Sequence, residues 1–251
     1  MPVADRIHIG TSGWHYEHWK GPFYPEDMST DDFLGYYADR FQTVEINNTF
    51  YQLPERETVV QWRRTVPESF IFAVKANQYI THMKKLKDPE EPVSNFLARI
   101  QALEEKLGPV LFQLPPHWNF NKERLESFLE SLPHDLECAF EFRDESWFNE
   151  DAYSLLAKHN AAFCIYHLAG RLSPKRLTSD LVYVRLHGPE SPYQGQYSDD
   201  ALSEWSNDLR QWAEDGRGVF CYFDNDEAGY AAQDAQTLMQ TVVQSNPDSA
   251  S

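Results

Sequence analysis

The sequence predicts an α/β protein, a TIM-type (β/α)8 barrel of one domain, from three observations. Eight short apolar segments alternate with segments whose apolar residues recur at helical spacing. Such alternation is typical of parallel strands joined by right-handed crossover helices. The chain has 251 residues, the usual length of one such barrel. Ionisable residues also gather where the strands end, which is where this fold places its active site.

The first half of the chain contains four strand–helix units. Each predicted strand is a short apolar run bounded by turn residues, at 7–10, 43–47, 70–76 and 110–114. A helix begins near Ser29, where Asp31 and Asp32 suit the first turn. The helix predicted at 94–107 stops at Gly108-Pro109. Two further helices are predicted at 55–65 and 121–131.

The fifth strand, 137–143, shows the alternation that organises the other strands. Cys138, Phe140 and Phe142 share one face, and Ala139, Glu141 and Arg143 share the other. One face is therefore bulky and apolar. The other face begins with a small residue and ends in an adjacent acid and base, as expected for the interior of a barrel near its carboxyl end.

The second half continues the same pattern with one exception. Strands are predicted at 162–166, 181–186 and 218–223, and helices at 149–159, 199–214 and 230–243. The segment 168–180 is short and rich in Ser and Pro, so the sixth crossover is expected to be irregular. The barrel domain is expected to span 1–245, and 246–251 to form a flexible tail.

Composition narrows the possible partners. Lys and Arg number 22 against 39 Asp and Glu, a net charge of −17, which disfavours nucleic acid and anionic membranes. No apolar run approaches the roughly 20 residues that cross a bilayer. The three cysteines lie in apolar strands without C-x-x-C spacing, so we expect buried, unpaired thiols facing the helices and a cytoplasmic protein.

Polar side chains of the inward parity converge at the carboxyl ends of the strands. Glu45, Glu141 and His187 are the candidates for acid–base catalysis. The other side chains could bind a ligand, through charge, amide groups or aromatic faces. These predicted ligand-binding residues are Asn47, Lys75, Gln113, Arg143, Arg185, Asp224, Asn225, Trp14 and Trp147. The alternative is a structural network in which the buried acids and bases neutralise one another.

Two loops indicate the sign of the ligand's charge. Segments 75–87 and 167–179 contain seven Lys or Arg residues and no acid, in a chain of net charge −17. They favour an anionic small molecule (phosphorylated, sugar-like or nucleotide-like) as substrate of a hydrolase, lyase or isomerase. The alternative is a non-catalytic nucleic-acid-binding module that uses these loops and aromatic side chains. The sequence does not indicate an oligomeric state.

No cofactor is predicted, because the chain lacks G-x-G-x-x-G, P-loop and H-E-x-x-H motifs. Gly10-Thr-Ser-Gly13 follows a strand but lacks the context of a nucleophile elbow. His187, Glu45, Glu141 and Asp224 could ligate a metal ion. No metal site is predicted, since the neighbouring Lys75, Arg143 and Arg185 would repel a cation.

Several motifs together resemble the YecE-like family, domain of unknown function 72. They are Gly10–Trp14, Lys20–Pro25, Val44–Asn47, Thr49–Tyr51, Gln113–Pro116, Glu141–Arg143, Ser146-Trp147, Val184–Gly188 and Tyr222–Asn225. The resemblance covers nearly the whole chain and implies a TIM barrel without an established activity. Asp224 departs from the pattern, which implies Asn at that position.

Overall fold

The structure is a computed structural model that describes residues 3–244. It has the predicted (β/α)8 fold, with eight parallel strands and alternating helices. The strands are β1 Ile7–Thr11, β2 Thr43–Ile46, β3 Ile71–Lys75, β4 Leu107–Gln113, β5 Cys138–Glu141, β6 Ala162–Leu168, β7 Leu181–Leu186 and β8 Gly218–Phe223. Hydrogen bonding places them in the order β1-β8-β7-β6-β5-β4-β3-β2.

Seven α-helices connect the strands, each near its predicted position. They are α1 Phe33–Ala38, α2 Arg56–Thr65, α3 Glu90–Ile100, α4 Lys122–Ser131, α5 Glu150–Lys158, α6 Asp199–Glu214 and α7 Tyr230–Gln244. The side chains of Asn121, Asn149 and Ser198 cap α4, α5 and α6 by accepting main-chain N–H bonds in the first turn. Within residues 3–244, no helix has the length and hydrophobicity needed to cross a bilayer.

Two connections differ in detail from their predictions. Helix α3 begins at Glu90, four residues before the predicted start, because Pro92 is tolerated in a first turn that also contains Glu90 and Glu91. It ends at Ile100 instead of continuing to 107, and Gly108-Pro109 lies inside β4 instead of ending a helix. The sixth crossover contains no α-helix, as predicted. Instead β6 extends to Leu168 and pairs antiparallel with a two-residue strand, Arg171–Leu172. Ala169 and Gly170, both with positive φ, form the turn between them.

The chain divides into two compact units, which are described in turn. Among the described residues, the terminal unit contains 3–44, 165–173 and 182–244, and the central unit contains 45–164 and 174–181. The predicted bounds of the barrel domain, 1–245, stay a prediction. The predicted flexible tail, 246–251, lies outside the described residues.

In the central unit, aromatic side chains pack between the sheet and α4. The Phe112 and Phe140 rings, on neighbouring strands, lie 5.2 Å apart, and Phe128 of α4 meets Phe112 edge-on at 5.1 Å. Burying each of these side chains contributes about 1.5–3 kcal/mol. The apolar face predicted for the fifth strand is therefore the face that packs against a helix.

All three cysteines are free and buried, as predicted. Burial raises the pKa of the Cys138 thiol to about 12, so this thiol is protonated at neutral pH. The prediction that all three face the helices is wrong for Cys164. Its Sγ lies 3.8 Å from Oε2 of Glu141, on the polar face of the sheet.

In the terminal unit, β1 and the start of β2 approach each other closely. A Cβ at Gly10 would lie 2.3 Å from the Thr43 carbonyl oxygen, so only glycine fits there. The buried hydroxyl of Tyr37 in α1 accepts from the Thr11 main-chain N–H at 2.9 Å. The same hydroxyl donates to the Thr43 carbonyl at 3.0 Å. Tyr37 thus links the two strands that stand at opposite ends of the strand order.

Tyr37→Phe is expected to lower the free energy of unfolding by about 1–3 kcal/mol, since it leaves a buried N–H and a buried carbonyl without this partner. Chemical denaturation measures the change. Tyr36→Phe, at the adjacent position, removes a hydroxyl that is outside this bridge and should change stability by less than about 0.5 kcal/mol. Equal effects of the two substitutions would contradict the role assigned to Tyr37.

Candidate functional site

Main-chain hydrogen bonds fix the residues that follow the strands. In the central unit, the N–H of Ala76 donates to the Leu111 carbonyl at 2.8 Å, and the N–H of Leu114 to the Glu141 carbonyl at 2.8 Å. In the terminal unit, the N–H of Asp224 donates to the Leu186 carbonyl at 2.8 Å. The polar side chains at these ends are therefore attached to ordered backbone, as a binding or catalytic site requires.

In the central unit, Glu141 and Arg143 form a buried ion pair. The guanidinium of Arg143 donates to Oε1 of Glu141. The Glu141 side chain is fully buried, and that of Arg143 is 10% exposed. The other carboxylate oxygen, Oε2, is the one that contacts Cys164. Glu141 is thus held in place by contacts to both oxygens.

Lys75 lies at the end of β3, with 8% of its surface exposed. Its ammonium group lies 4.3 Å from the centre of the Phe50 ring, a cation–π contact. The Thr49 hydroxyl donates to the Lys75 carbonyl at 2.7 Å, and the Asn77 amide donates to the Thr49 carbonyl at 2.9 Å. These bonds attach the turn that carries Phe50 to the end of β3.

His82 joins this group, although the sequence does not single it out. It lies in a single π-helical turn, Tyr79–Met83, and its ring meets the Phe50 ring edge-on at 4.9 Å. Its Nδ1 is 2.9 Å from the Thr81 hydroxyl. Burial, and then the charges of Lys75 and Arg143, lower the pKa of His82 to about 4. We call Lys75, His82, Glu141 and Arg143 the central cluster.

The other predicted residues of the central unit occupy nearby strand ends. Glu45 is fully buried in β2. Asn47 follows β2, and its side-chain oxygen is buried without a hydrogen bond to any residue in 3–244. The amide of Gln113 points back to the Leu114 carbonyl at 3.5 Å, the limit of a hydrogen bond. The unbonded side-chain oxygen of Asn47 could accept a hydrogen bond from a ligand.

The two predicted aromatic ligand contacts are both buried. Trp147, in the central unit, is fully buried, and its indole N–H donates to the Trp118 carbonyl at 2.5 Å. Its ring packs on Phe142 at 4.8 Å. Trp14, in the terminal unit, is 6% exposed. Their role in ligand binding stays a prediction, and the contacts of Trp147 are those of a core residue.

In the terminal unit, Arg185, His187 and Asp224 form a second group, with Ser12. Arg185 donates to Oδ2 of Asp224 and to the Ser12 hydroxyl, each at 3.1 Å. The same Asp224 oxygen lies 2.9 Å from Nδ1 of His187. Arg185 is 1% exposed and His187 is fully buried. We call these four residues the terminal cluster, in which Asp224 neutralises a buried guanidinium.

Asn225 has a different environment from its neighbour Asp224. Its side-chain amide donates to the Gly195 carbonyl and to Oδ2 of Asp234, each at 2.8 Å. The same Asp234 oxygen accepts the Tyr197 N–H at 3.1 Å. The predicted ligand contact Asn225 therefore holds the 195–197 segment against α7. Sequence reasoning missed Asp234, because a single acid in a helix carries no spacing signal.

The basic loops are partly neutralised by acids from outside their own segments. Lys84 pairs with Asp88 at 3.4 Å, and Arg176 pairs with Glu150. Within residues 3–244, no group of three or more His, Cys, Asp or Glu side chains is arranged to hold a metal ion. In the central unit, the mostly buried guanidinium of Arg143 lies beside the predicted catalytic carboxylate of Glu141.

Known proteins are similar to this chain over most of its length. A family model described as protein of unknown function DUF72 matches residues 8–250. The chain belongs to this family. It is 27% identical to the UPF0759 protein YunF of Bacillus subtilis (strain 168), over 93% of this chain and 94% of YunF. It is 31% identical to the UPF0759 protein YecE of Escherichia coli (strain K12), over 57% of this chain and 50% of YecE.

Solved structures show the same fold. A DUF72 family protein from Thermotoga maritima MSB8 has a TM-score of 0.86 and 34% identity, over 94% of this chain and 99% of that one. A DUF72 family protein from Enterococcus faecalis V583 has a TM-score of 0.81 and 23% identity, over 96% of each chain. The DUF72 assignment confirms the resemblance drawn from the motifs. It identifies neither substrate nor reaction.

For this DUF72 protein, the observed contacts of Arg185 change the expected effect of Arg185→Lys. Because the sequence analysis places Arg185 among the ligand-binding residues, it predicts that this substitution weakens anion binding. The buried bonds to Asp224 and Ser12 instead predict a loss of about 1–3 kcal/mol in the free energy of unfolding, because an ammonium cannot reproduce a guanidinium fork. Chemical denaturation and a sulfate titration separate the two effects.

The matched control for that substitution is Arg176→Lys. Arg176 and its partner Glu150 are both exposed, at 47% and 79%, so the change should cost less than about 0.5 kcal/mol. If Arg185→Lys left stability unchanged but weakened sulfate binding, Arg185 would belong to a ligand site. Its role in pairing with Asp224 would then not be the main one.

Lys75→Met is expected to raise the pKa of His82 from about 4 toward its ordinary value of 6.5, because it removes a nearby positive charge. NMR titration of the His82 ring measures the shift. Lys84→Met, on the same segment, removes a charge that pairs with Asp88 and should leave the midpoint near 4. A midpoint near 4 in Lys75→Met would contradict the proximity of Lys75 to His82.

The lowered pKa of His82 also sets a direction for stability. The unfolded chain takes up a proton at His82 near pH 6.5, whereas the folded chain does so only near 4. The contribution of neutral His82 to stability is therefore complete above about pH 6.5 and decreases as the pH falls toward about 4. Lys75→Met should reduce this decrease.

Proposed function

We propose that this DUF72 protein is an enzyme that acts on an anionic small molecule (phosphorylated, sugar-like or nucleotide-like) in the central unit. The observation that carries the proposal is the central cluster. Lys75 and Arg143 are mostly buried at the ends of β3 and β5, in a protein of net charge −17. Burial, and then the charges of Lys75 and Arg143, lower the pKa of His82, so both cationic groups act on this half-buried ring.

The chemistry of these side chains suits an oxoanion. A guanidinium such as Arg143 presents paired donors to phosphate or carboxylate, and an ammonium such as Lys75 supplies a point charge. Both would stabilise negative charge that develops during a reaction. The position of Lys75 is fixed by Phe50 and the Thr49 bond, so the donors are preorganised.

Glu141 and Glu45 are the proposed acid–base residues of the central unit. Glu141 is oriented through both oxygens, by Arg143 and by Cys164. Glu45 is a second, fully buried carboxylate at the end of β2. Two carboxylates in different surroundings can divide the roles of proton donor and acceptor. They favour acid–base hydrolysis, elimination or isomerisation without a metal ion.

The role of His187 as a proton shuttle stays a prediction. Its bond to Asp224 would orient the ring, as the partner carboxylate does in acid–base pairs. Its complete burial and its contact with Arg185 at 3.3 Å are equally suited to a neutralised core. We therefore place the reacting groups in the central unit.

The alternative, a nucleic-acid-binding module, has less support. Two of its basic loop residues, Lys84 and Arg176, are already paired with Asp88 and Glu150. Exposed aromatic side chains that could stack on bases include Tyr51, 74% exposed. The net charge of −17 opposes a polyanion.

A location in the cytoplasm is proposed from the three free, buried thiols.

The proposal predicts turnover of at least one member of a panel of sugar phosphates and nucleotides. Glu141→Gln should lower kcat on that substrate by about 10²–10⁴-fold, the typical contribution of a general acid or base. Glu145→Gln, at an exposed position four residues on, should leave kcat within about twofold. The enzymatic assay of the full chain measures both.

Two results would contradict this function. A bound panel member that is not converted would indicate a non-catalytic binding protein. Binding of single-stranded oligonucleotides with a steep loss of affinity at higher salt, and no binding of the panel, would favour the nucleic-acid module.

A further inference from the structure

We propose that binding of a divalent oxoanion at Lys75 and Arg143 is coupled to protonation of His82, which then becomes the third cationic group of the site. The ligand class is a dianion such as a phosphate monoester. This inference rests on the proposed function and adds to it the ligand's charge and a proton. The proton comes from solvent, and no bond of the ligand is broken.

The geometry places His82 at the same aromatic ring as Lys75. The Lys75 ammonium lies 4.3 Å from the centre of the Phe50 ring. The centre of the His82 ring lies 4.9 Å from the centre of the same Phe50 ring. Phe50 is positioned by the bond from Thr49 to the Lys75 carbonyl. The imidazole and the ammonium are therefore two parts of one ordered surface.

The backbone around His82 is unusual, and buried side chains hold it in place. The π-helical turn Tyr79–Met83 is a form that occurs often at functional sites. Ile80 and Thr81 of this turn are buried, and the turn is followed by Leu86, which is buried although its φ is +63°. A bulky residue in that conformation is strained and requires a supporting structure. The segment thus has a fixed shape that presents His82.

One imidazole nitrogen of His82 is engaged and the other is available. Nδ1 lies 2.9 Å from the Thr81 hydroxyl. Nε2 makes no hydrogen bond to the part of the chain that the structure describes, residues 3–244. Because His82 is half-buried, a ligand or solvent can reach the ring. Protonation therefore adds a donor without breaking an existing bond at Nε2.

The charged groups that act on His82 come from three elements. Lys75 at the end of β3 and Arg143 after β5 both disfavour its protonation. On its own segment, Lys84 is paired with Asp88. Glu141, the carboxylate beside Arg143, is bonded to that guanidinium. Phe50 and Thr81, which also contact His82, carry no charge. Burial, and then the charges of Lys75 and Arg143, lower the pKa of His82 to about 4, so the imidazole is neutral at pH 7.

A dianion that binds Lys75 and Arg143 reverses this balance. It offsets the two positive charges and adds negative charge beside the ring, so the pKa of His82 rises on binding. Linkage then requires that ligand affinity rise as the pH falls below the pKa of the bound state, and level off below about 4. A monoanion, such as a phosphodiester, would offset less of this positive charge. Its binding would therefore raise the pKa of His82 less, and a smaller fraction of His82 would become protonated.

Isothermal titration with sulfate tests the inference on the full chain, because sulfate stays a dianion between pH 5 and 7.5. If the pKa of the bound state returns to about 6.5, affinity should rise roughly 10- to 30-fold from pH 7.5 to pH 5. His82→Gln should reduce that rise to less than about twofold. His134→Gln, an exposed histidine in the same unit, should retain it. NMR of wild-type His82 should show the pKa increase directly, without a variant.

The outcomes separate this inference from the function on which it rests. Sulfate binding of equal strength at both pH values, with an unchanged His82 titration, would overturn the coupling and leave the anion site intact. No sulfate binding at either pH would overturn the anion site as well. A pH dependence that persists in His82→Gln would assign the proton to another group and also overturn the inference.

Discussion

Buried charge at the carboxyl ends of the strands constrains the rest of this structure. Removing a carboxylate or guanidinium from water costs several kcal/mol, and breaking a buried pair typically costs about 3–5 kcal/mol. Glu141 with Arg143, and Asp224 with Arg185, therefore need partners held at fixed positions. The main-chain bonds that follow the strand ends supply this rigidity. A TIM barrel concentrates such groups where its loops begin, and the DUF72 chain does so in both units.

The two clusters solve the problem of buried charge differently. In the terminal cluster, Asp224 contacts both Arg185 and His187, and all three side chains are withdrawn from solvent. In the central cluster, Lys75 is placed on an aromatic ring and His82 remains half-buried. The first arrangement resembles a neutralised core, whereas the second brings a mostly buried ammonium and a half-buried imidazole to one aromatic ring. This difference is the reason for placing the anion site in the central unit.

The fold could be predicted from the sequence because strand and helix periodicities are local. The adjacency of Glu141 and Arg143 was predictable for the same reason, since both belong to one strand face. The pairing of Arg185 with Asp224 was predictable only as one possibility within a structural network, because the choice of partner depends on how the strands are staggered. The inward position of Cys164, the burial of Trp147 and the π-helical turn at His82 depend on tertiary packing in the same way.

The central claim is that Lys75 and Arg143 together bind an oxoanion. A crystal structure of the wild-type protein soaked in selenate tests it most directly, because anomalous scattering locates selenium without assumptions about the ligand. We expect an anomalous peak with selenate oxygens within hydrogen-bonding distance, about 2.7–3.2 Å, of the Lys75 ammonium and the Arg143 guanidinium. Selenate bound elsewhere on the protein, with none at this pair, would contradict it.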